Sequence, residues 1–87
     1  MKILVTGGSG FLGSEIIKKL IHNDFEVYNL DLIKNENVKV NNFQIDILDK
    51  NNLENIFKKN NFDIVIHSCA KVPISKSKYT FNEINVE

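Results

Sequence analysis

The sequence predicts an α/β protein built as half of a doubly wound parallel sheet, with strand order 3-2-1-4. Two observations predict it. Short apolar runs alternate with stretches of helical periodicity, which implies parallel strands joined by right-handed crossovers. A glycine cluster stands where the first strand gives way to the first helix. The order follows from the crossovers. The first helix covers one face; the second crossover runs the other way and places its helix on the opposite face. A topological switch then falls between the first and fourth strands, where a ligand is expected.

The elements read in order as follows. Ile3-Leu4-Val5 makes residues 2–6 a strand buried on both faces. Phe11, Leu12, Ile16, Ile17, Leu20 and Ile21 recur at helical spacing, which predicts a helix over about 10–22 ended by Asn23-Asp24. Residues 26–31 form the second strand, with Val27 and Leu30 facing the core; the polar stretch 33–37 is loop. Residues 43–47 read as a third strand, with a start nearer Val38 as the alternative. Asp49 is an N-cap candidate for a helix over 50–59 whose apolar stripe is Leu53, Ile56 and Phe57. Ile64-Val65-Ile66 marks a fourth strand over 63–67. Residues 71–78, with Pro73 and three lysines, read as loop, and 79–87 as the beginning of a third helix.

Bulk properties narrow the function. A chain of 87 residues is at most one domain and buries a smaller fraction of its surface than a full-size one. The formal net charge is zero, so bulk electrostatics give no case for nucleic acid or an anionic membrane as partner. All basic side chains are lysines; there is no Arg. The one cysteine, Cys69, excludes an internal disulfide and a cysteine-only metal site. No apolar run approaches the roughly 20 residues that span a bilayer, and Met1 runs into a strand without signal-peptide features, so the expected location is cytoplasmic.

The chemistry lies in Gly7-Gly8-Ser9-Gly10-Phe11-Leu12-Gly13. Gly8, Gly10 and Gly13 fit G-x-G-x-x-G, and Gly7, Gly10 and Gly13 fit G-x-x-G-x-x-G. In such a turn the first glycine lets the chain reverse, the middle one leaves room for a pyrophosphate, and the last lets helix and sheet approach. Backbone N–H groups near Phe11 and Leu12 then point at the phosphates. The pattern also fits a generic strand-to-helix turn. Context favours a dinucleotide: a strand precedes it, a helix follows, and Asp31 closes the next strand about 20 residues on. A carboxylate at Asp31 accepts hydrogen bonds from the ribose hydroxyls and repels a 2′-phosphate, and no Arg is present to pair one, so NAD is favoured over NADP. The plain alternative for Asp31 is a solvated turn residue.

These residues together resemble the extended short-chain dehydrogenases/reductases, specifically the NAD-dependent epimerase/dehydratase family. Thr6 through Gly13 resembles the family's opening. Asp46-Ile47-Leu48-Asp49 resembles the segment after its third strand, Ile66-His67-Ser68-Cys69-Ala70 the end of its fourth, and Asn85-Val86 the start of an Asn-Val-x-Gly-Thr segment. The resemblance covers essentially the whole chain and maps residues 1–87 onto the N-terminal part of an NAD(P)-binding Rossmann domain. It implies backbone contacts from Phe11 and Leu12 to the pyrophosphate and a ribose contact from Asp31. It implies adenine contacts from Asp46 and the Ile47 backbone, and a cofactor lining from Ser68, Cys69 and Ala70. Cys69 departs from the family's usual Ala; as a residue it also reads as a simple buried thiol. His67 reads as a packing residue, and Asp46 as a turn cap in its plain alternative.

The family's Tyr-x-x-x-Lys pair, in which Lys lowers the Tyr pKa for proton transfer, is absent. Tyr28 is followed four positions on by Leu32, and Tyr79 by Glu83. The expectation is a truncated, catalytically incomplete nucleotide-sugar epimerase, dehydratase or reductase. Its alternatives are a nucleotide-sensing protein that binds NAD(H) without chemistry, and a fragment that binds nothing. A fourth strand left as the sheet edge would leave the chain marginally folded or prone to self-association there.

Overall fold

The computed structural model describes residues 1–68 and 82–85. β1 (Lys2–Thr6) leads through the glycine turn into α1 (Phe11–His22). Then follow β2 (Glu26–Asp31), β3 (Asn41–Gln44), α2 (Lys50–Lys59), β4 (Ile64–His67) and β5 (Asn82–Asn85). All pairs are parallel and the order is β3-β2-β1-β4-β5, so the four expected strands take the order 3-2-1-4.

Side chains alternate between the faces of the sheet. Ile3, Val5, Val27, Val40 and Ile66 gather around Ile17 of α1, flanked by Ile16, Leu20 and Ile21. Leu4, Leu30 and Val65 pack on the other face with Leu53 and Phe57 of α2 and with Phe62. Burial on both faces explains why β1 is an unbroken apolar run rather than an alternating one. Tyr28 stacks on Phe43 at 5.7 Å and meets Phe62 edge-on at 5.3 Å, which closes the α2 side toward the β3 edge. The chain leaves α1 through Asn23 and Asp24, whose φ of 63° is the left-handed geometry a short polar side chain tolerates.

Three expectations need correction. The helix expected to begin at residue 79 is replaced over its described part by β5, paired with β4 from Ile64↔Asn82 to His67↔Asn85. Residues 79–81 and 86–87 lie outside the described region, as does the 71–78 loop. Sheet pairing wins because β4 presents a full row of backbone donors and acceptors, while the local sequence has no strong helical pattern to oppose it. It follows that β4 is not the sheet edge; among the described strands, β3 and β5 are. Finally, β3 spans Asn41–Gln44 rather than 43–47. Its ladder ends where β2 ends, at Asp31↔Gln44, and the Ile45 amide turns back to the Phe43 carbonyl at 3.1 Å. Ile45 and Ile47 still pack on the α2-side core.

Candidate functional site

The C-terminal ends of β1, β2 and β4 lie side by side, and the glycine turn rises from the central one. Gly7 sits at φ 74°, a conformation that lets the chain reverse directly after Thr6 and that an L side chain rarely adopts. Its amide donates to the Leu30 carbonyl at 2.9 Å, so the turn is pinned to β2. Gly13 is where α1 meets the turn: a Cβ there would overlap the Gly7 carbonyl and lie 2.8 Å from both Gly8 Cα and Ser68 Oγ. Gly8 has no more room, since a Cβ would lie 2.8 Å from Asn29 Cγ and closer still to Ile17.

Gly10 differs. The nearest atom to a Cβ placed on it is the Gly7 carbonyl oxygen at 3.5 Å, an ordinary contact. Internal packing therefore does not require glycine here; its missing side chain leaves an open approach to the backbone. Gly10 is also the N-cap of α1, and no side chain caps this helix. The first backbone bond is from Ser14 N to Gly10 O at 2.9 Å, so the amides of Phe11, Leu12 and Gly13 begin the helix without a protein cap. No acidic residue occupies the first turn, and Phe11 is 87% exposed. The positive end of the helix dipole thus faces open space.

Asp31 ends β2 beside this turn. Its carboxylate accepts from the Ser9 amide at 3.1 Å and from the Ile33 amide at 3.3 Å, which fixes its orientation at the sheet edge. Ser68 follows β4, and its hydroxyl donates to the Thr6 and Gly7 carbonyls at 2.5 and 3.1 Å, tying β4 to the underside of the turn. His67 is buried, with Nδ1 3.2 Å from Thr6 Oγ1. Asp46 is exposed and accepts from the Leu48 amide at 2.9 Å, so it does cap the turn that leads to α2. Ile47 is half-buried against the α2-side core. Cys69 and Ala70 lie outside the described residues. Gly7, Gly10, Phe11, Leu12, Gly13, Asp31 and Ser68 are thus brought together, while Asp46 and Ile47 follow the end of β3, whose last residue, Gln44, pairs with Asp31. Among the described residues no cluster of His, Cys, Asp and Glu could hold a metal ion, and no helix is long and apolar enough to cross a membrane.

Sequence reasoning missed the polar support of the turn. Asn29 is buried in β2; its Oδ1 accepts from the Gly8 amide at 2.8 Å. Asn35, buried in the β2–β3 loop, donates from Nδ2 to the Gly8 carbonyl at 2.7 Å. Asn42 on β3 bonds to both asparagines. The available signal was Asn29 itself, a residue disfavoured in strands standing between Val27 and Leu30. The Ser9 hydroxyl adds a bond to the Ile33 carbonyl.

A sequence model of the NAD dependent epimerase/dehydratase family matches residues 3–87. Among curated relatives, the dTDP-glucose 4,6-dehydratase of Haemophilus influenzae is 37% identical over 89 residues, covering 88% of this chain and 26% of that protein. The UDP-glucose 4-epimerase of Bacillus subtilis is 28% identical over 101 residues, covering 97% and 30%. Among solved structures, the Thermus thermophilus UDP-glucose 4-epimerase complex with NAD superposes with a TM-score of 0.73 at 35% identity, covering 88% of this chain and 26% of that one. The chain spans about 26–30% of the length of these relatives. It belongs to the NAD-dependent epimerase/dehydratase family.

Proposed function

We propose that this family member is the N-terminal, cofactor-holding portion of an NAD-dependent epimerase or dehydratase that acts on a nucleotide-linked sugar. The observation that carries the reading is the start of α1: an uncapped helix N-terminus behind a glycine whose side-chain space the protein leaves open. In this reading the amides of Phe11 and Leu12 meet the pyrophosphate of NAD, with Gly7, Gly10 and Gly13 allowing the approach. Asp31 takes the ribose hydroxyls; its carboxylate and the absence of any Arg favour NAD over NADP. Asp46 and the Ile47 backbone read the adenine, and Ser68, Cys69 and Ala70 line the nicotinamide side. Bound NAD supplies the hydride acceptor and donor.

Residues 1–87 contain no Tyr-x-x-x-Lys pair. In the first reading proton transfer and sugar recognition therefore belong to other residues of a longer protein, as the names of the relatives and their greater lengths support. The second reading is a nucleotide-sensing protein that binds NAD(H) without chemistry. Genomic sequence downstream of codon 87 separates them: a continuing frame with Gly-Thr and then Tyr-x-x-x-Lys selects the first.

Titration of NADH followed by its fluorescence tests the cofactor site itself. A saturable signal is expected, and a folded sample without one overturns the assignment. Asp31→Ala is expected to weaken binding about tenfold, the weight of one hydrogen bond to a charged group at roughly 1.5 kcal/mol.

A further inference from the structure

The asparagines around the glycine turn form a closed ring. The Gly8 amide donates to Asn29 Oδ1 at 2.8 Å, and Asn29 Nδ2 donates to Asn42 Oδ1 at 3.0 Å. The Asn35 amide donates to that same Asn42 oxygen at 2.9 Å, and Asn42 Nδ2 returns a bond to the Asn35 carbonyl at 3.2 Å. Asn35 Nδ2 then donates to the Gly8 carbonyl at 2.7 Å and closes the circuit. Both polar groups of Gly8 are thereby held by side chains, and both of those side chains belong to residues bonded to Asn42. The register makes this possible, because Asn29 and Asn42 stand directly opposite each other on β2 and β3.

Resting on the cofactor reading above, we propose that this ring is a clamp that sets the glycine turn before the cofactor arrives. Asn42 is then a positioning residue: it governs cofactor affinity from an edge strand, through Gly8 and Asn35. The physical argument is burial. Gly8, Asn29 and Asn35 are all buried, so an unpaired amide in this group is costly, and the observed arrangement pairs them. That arrangement fixes Gly8, two residues before the open Gly10. It also folds the loop after Asp31 back against the turn, so that the pyrophosphate and ribose contacts share one support. A turn held in this way loses less freedom when a ligand binds.

The test uses the whole chain with Asn42→Leu, which keeps the side-chain bulk and removes both hydrogen-bonding functions. Amide exchange is read first without cofactor. In N42L, exchange at Gly8 and Asn35 is expected to rise about tenfold while Leu4 and Val5 in β1 keep their protection. NADH affinity is expected to fall about tenfold. Asn42→Asp retains an acceptor for Asn29 and for the Asn35 amide and should restore most of both. Unchanged Gly8 exchange in N42L overturns the clamp whatever NADH does. Raised exchange with unchanged NADH affinity overturns the positioning role. If N42L loses protection throughout the sheet, Asn35→Ala decides, because its loop site lies outside the ladder: selective exposure of Gly8 supports the clamp, and an unaltered Gly8 overturns it. A wild-type chain that protects Gly8 but never binds NADH removes the cofactor reading, and with it the positioning role; the exchange arm still judges the ring.

Discussion

The two helices begin in opposite ways. α2 starts at Asp49, whose carboxylate accepts from the Asn52 amide at 3.2 Å and from the Asn52 side chain at 2.7 Å. α1 starts at Gly10, which offers its first turn no side-chain cap. Both helices leave from the same edge of the sheet, and each faces the same deficit of backbone N–H groups without partners. α2 meets part of that deficit with its own N-cap side chain, which accepts from the third amide of the helix. α1 leaves it unmet at the point where three strand ends converge, and so forgoes roughly a few tenths of a kcal/mol of capping. The difference shows how one residue type at the N-cap separates a helix start closed by its own side chain from one left open.

The largest effect is expected where α1 presses on the turn. Gly13→Ala places a Cβ against the Gly7 carbonyl and Gly8 Cα, backbone atoms that cannot yield unless the turn opens. A loss of about 3 kcal/mol in denaturant unfolding is expected, more than the gain in helix propensity can offset. An unchanged midpoint would show that the close approach of helix and turn is not needed. The next variant makes the two helices alike. Gly10 has φ −72° and ψ 172°, a conformation open to any residue, and free space at its Cβ. Gly10→Asp should therefore hold or raise stability by a few tenths of a kcal/mol. It should also weaken NADH binding about thirtyfold, roughly 2 kcal/mol, by putting a carboxylate where the pyrophosphate approaches. Binding that survives this change would mean that the uncapped start is not the phosphate site. The smallest effect sharpens the contrast from the other side. Asp49→Ala should cost about 1 kcal/mol in the same unfolding measurement and leave NADH affinity untouched.

Much of this site was legible in the sequence because its signals are local. The spacing of the four glycines, the apolar run before them and Asp31 after the next strand all lie within one continuous stretch, and each has a local physical meaning. The bounds of β1, β2 and α2 were legible for the same reason: apolar runs, a capping aspartate and turn residues act on their own neighbours. Asp46 shows the limit of that reasoning. Its two roles, turn cap and adenine contact, both fit the sequence, and the structure displays the first through the Leu48 amide.

What the sequence by itself determined is the parallel α/β architecture, its 3-2-1-4 core and the glycine turn at the end of its first strand. These follow from periodicity and turn chemistry, which a residue expresses wherever the rest of the chain goes. Only the tertiary structure decided that residues Asn82–Asn85 would be a strand, that β3 would stop at Gln44, and that two asparagines, tied together by a third, would grip Gly8. The reason is distance along the chain. The Gly8–Asn35 bond joins residues 27 apart, and the backbone that β5 pairs with belongs to β4. An asparagine in a loop is locally an ordinary polar residue. It becomes support for a binding site when folding buries it against a backbone that needs its two hydrogen-bonding functions.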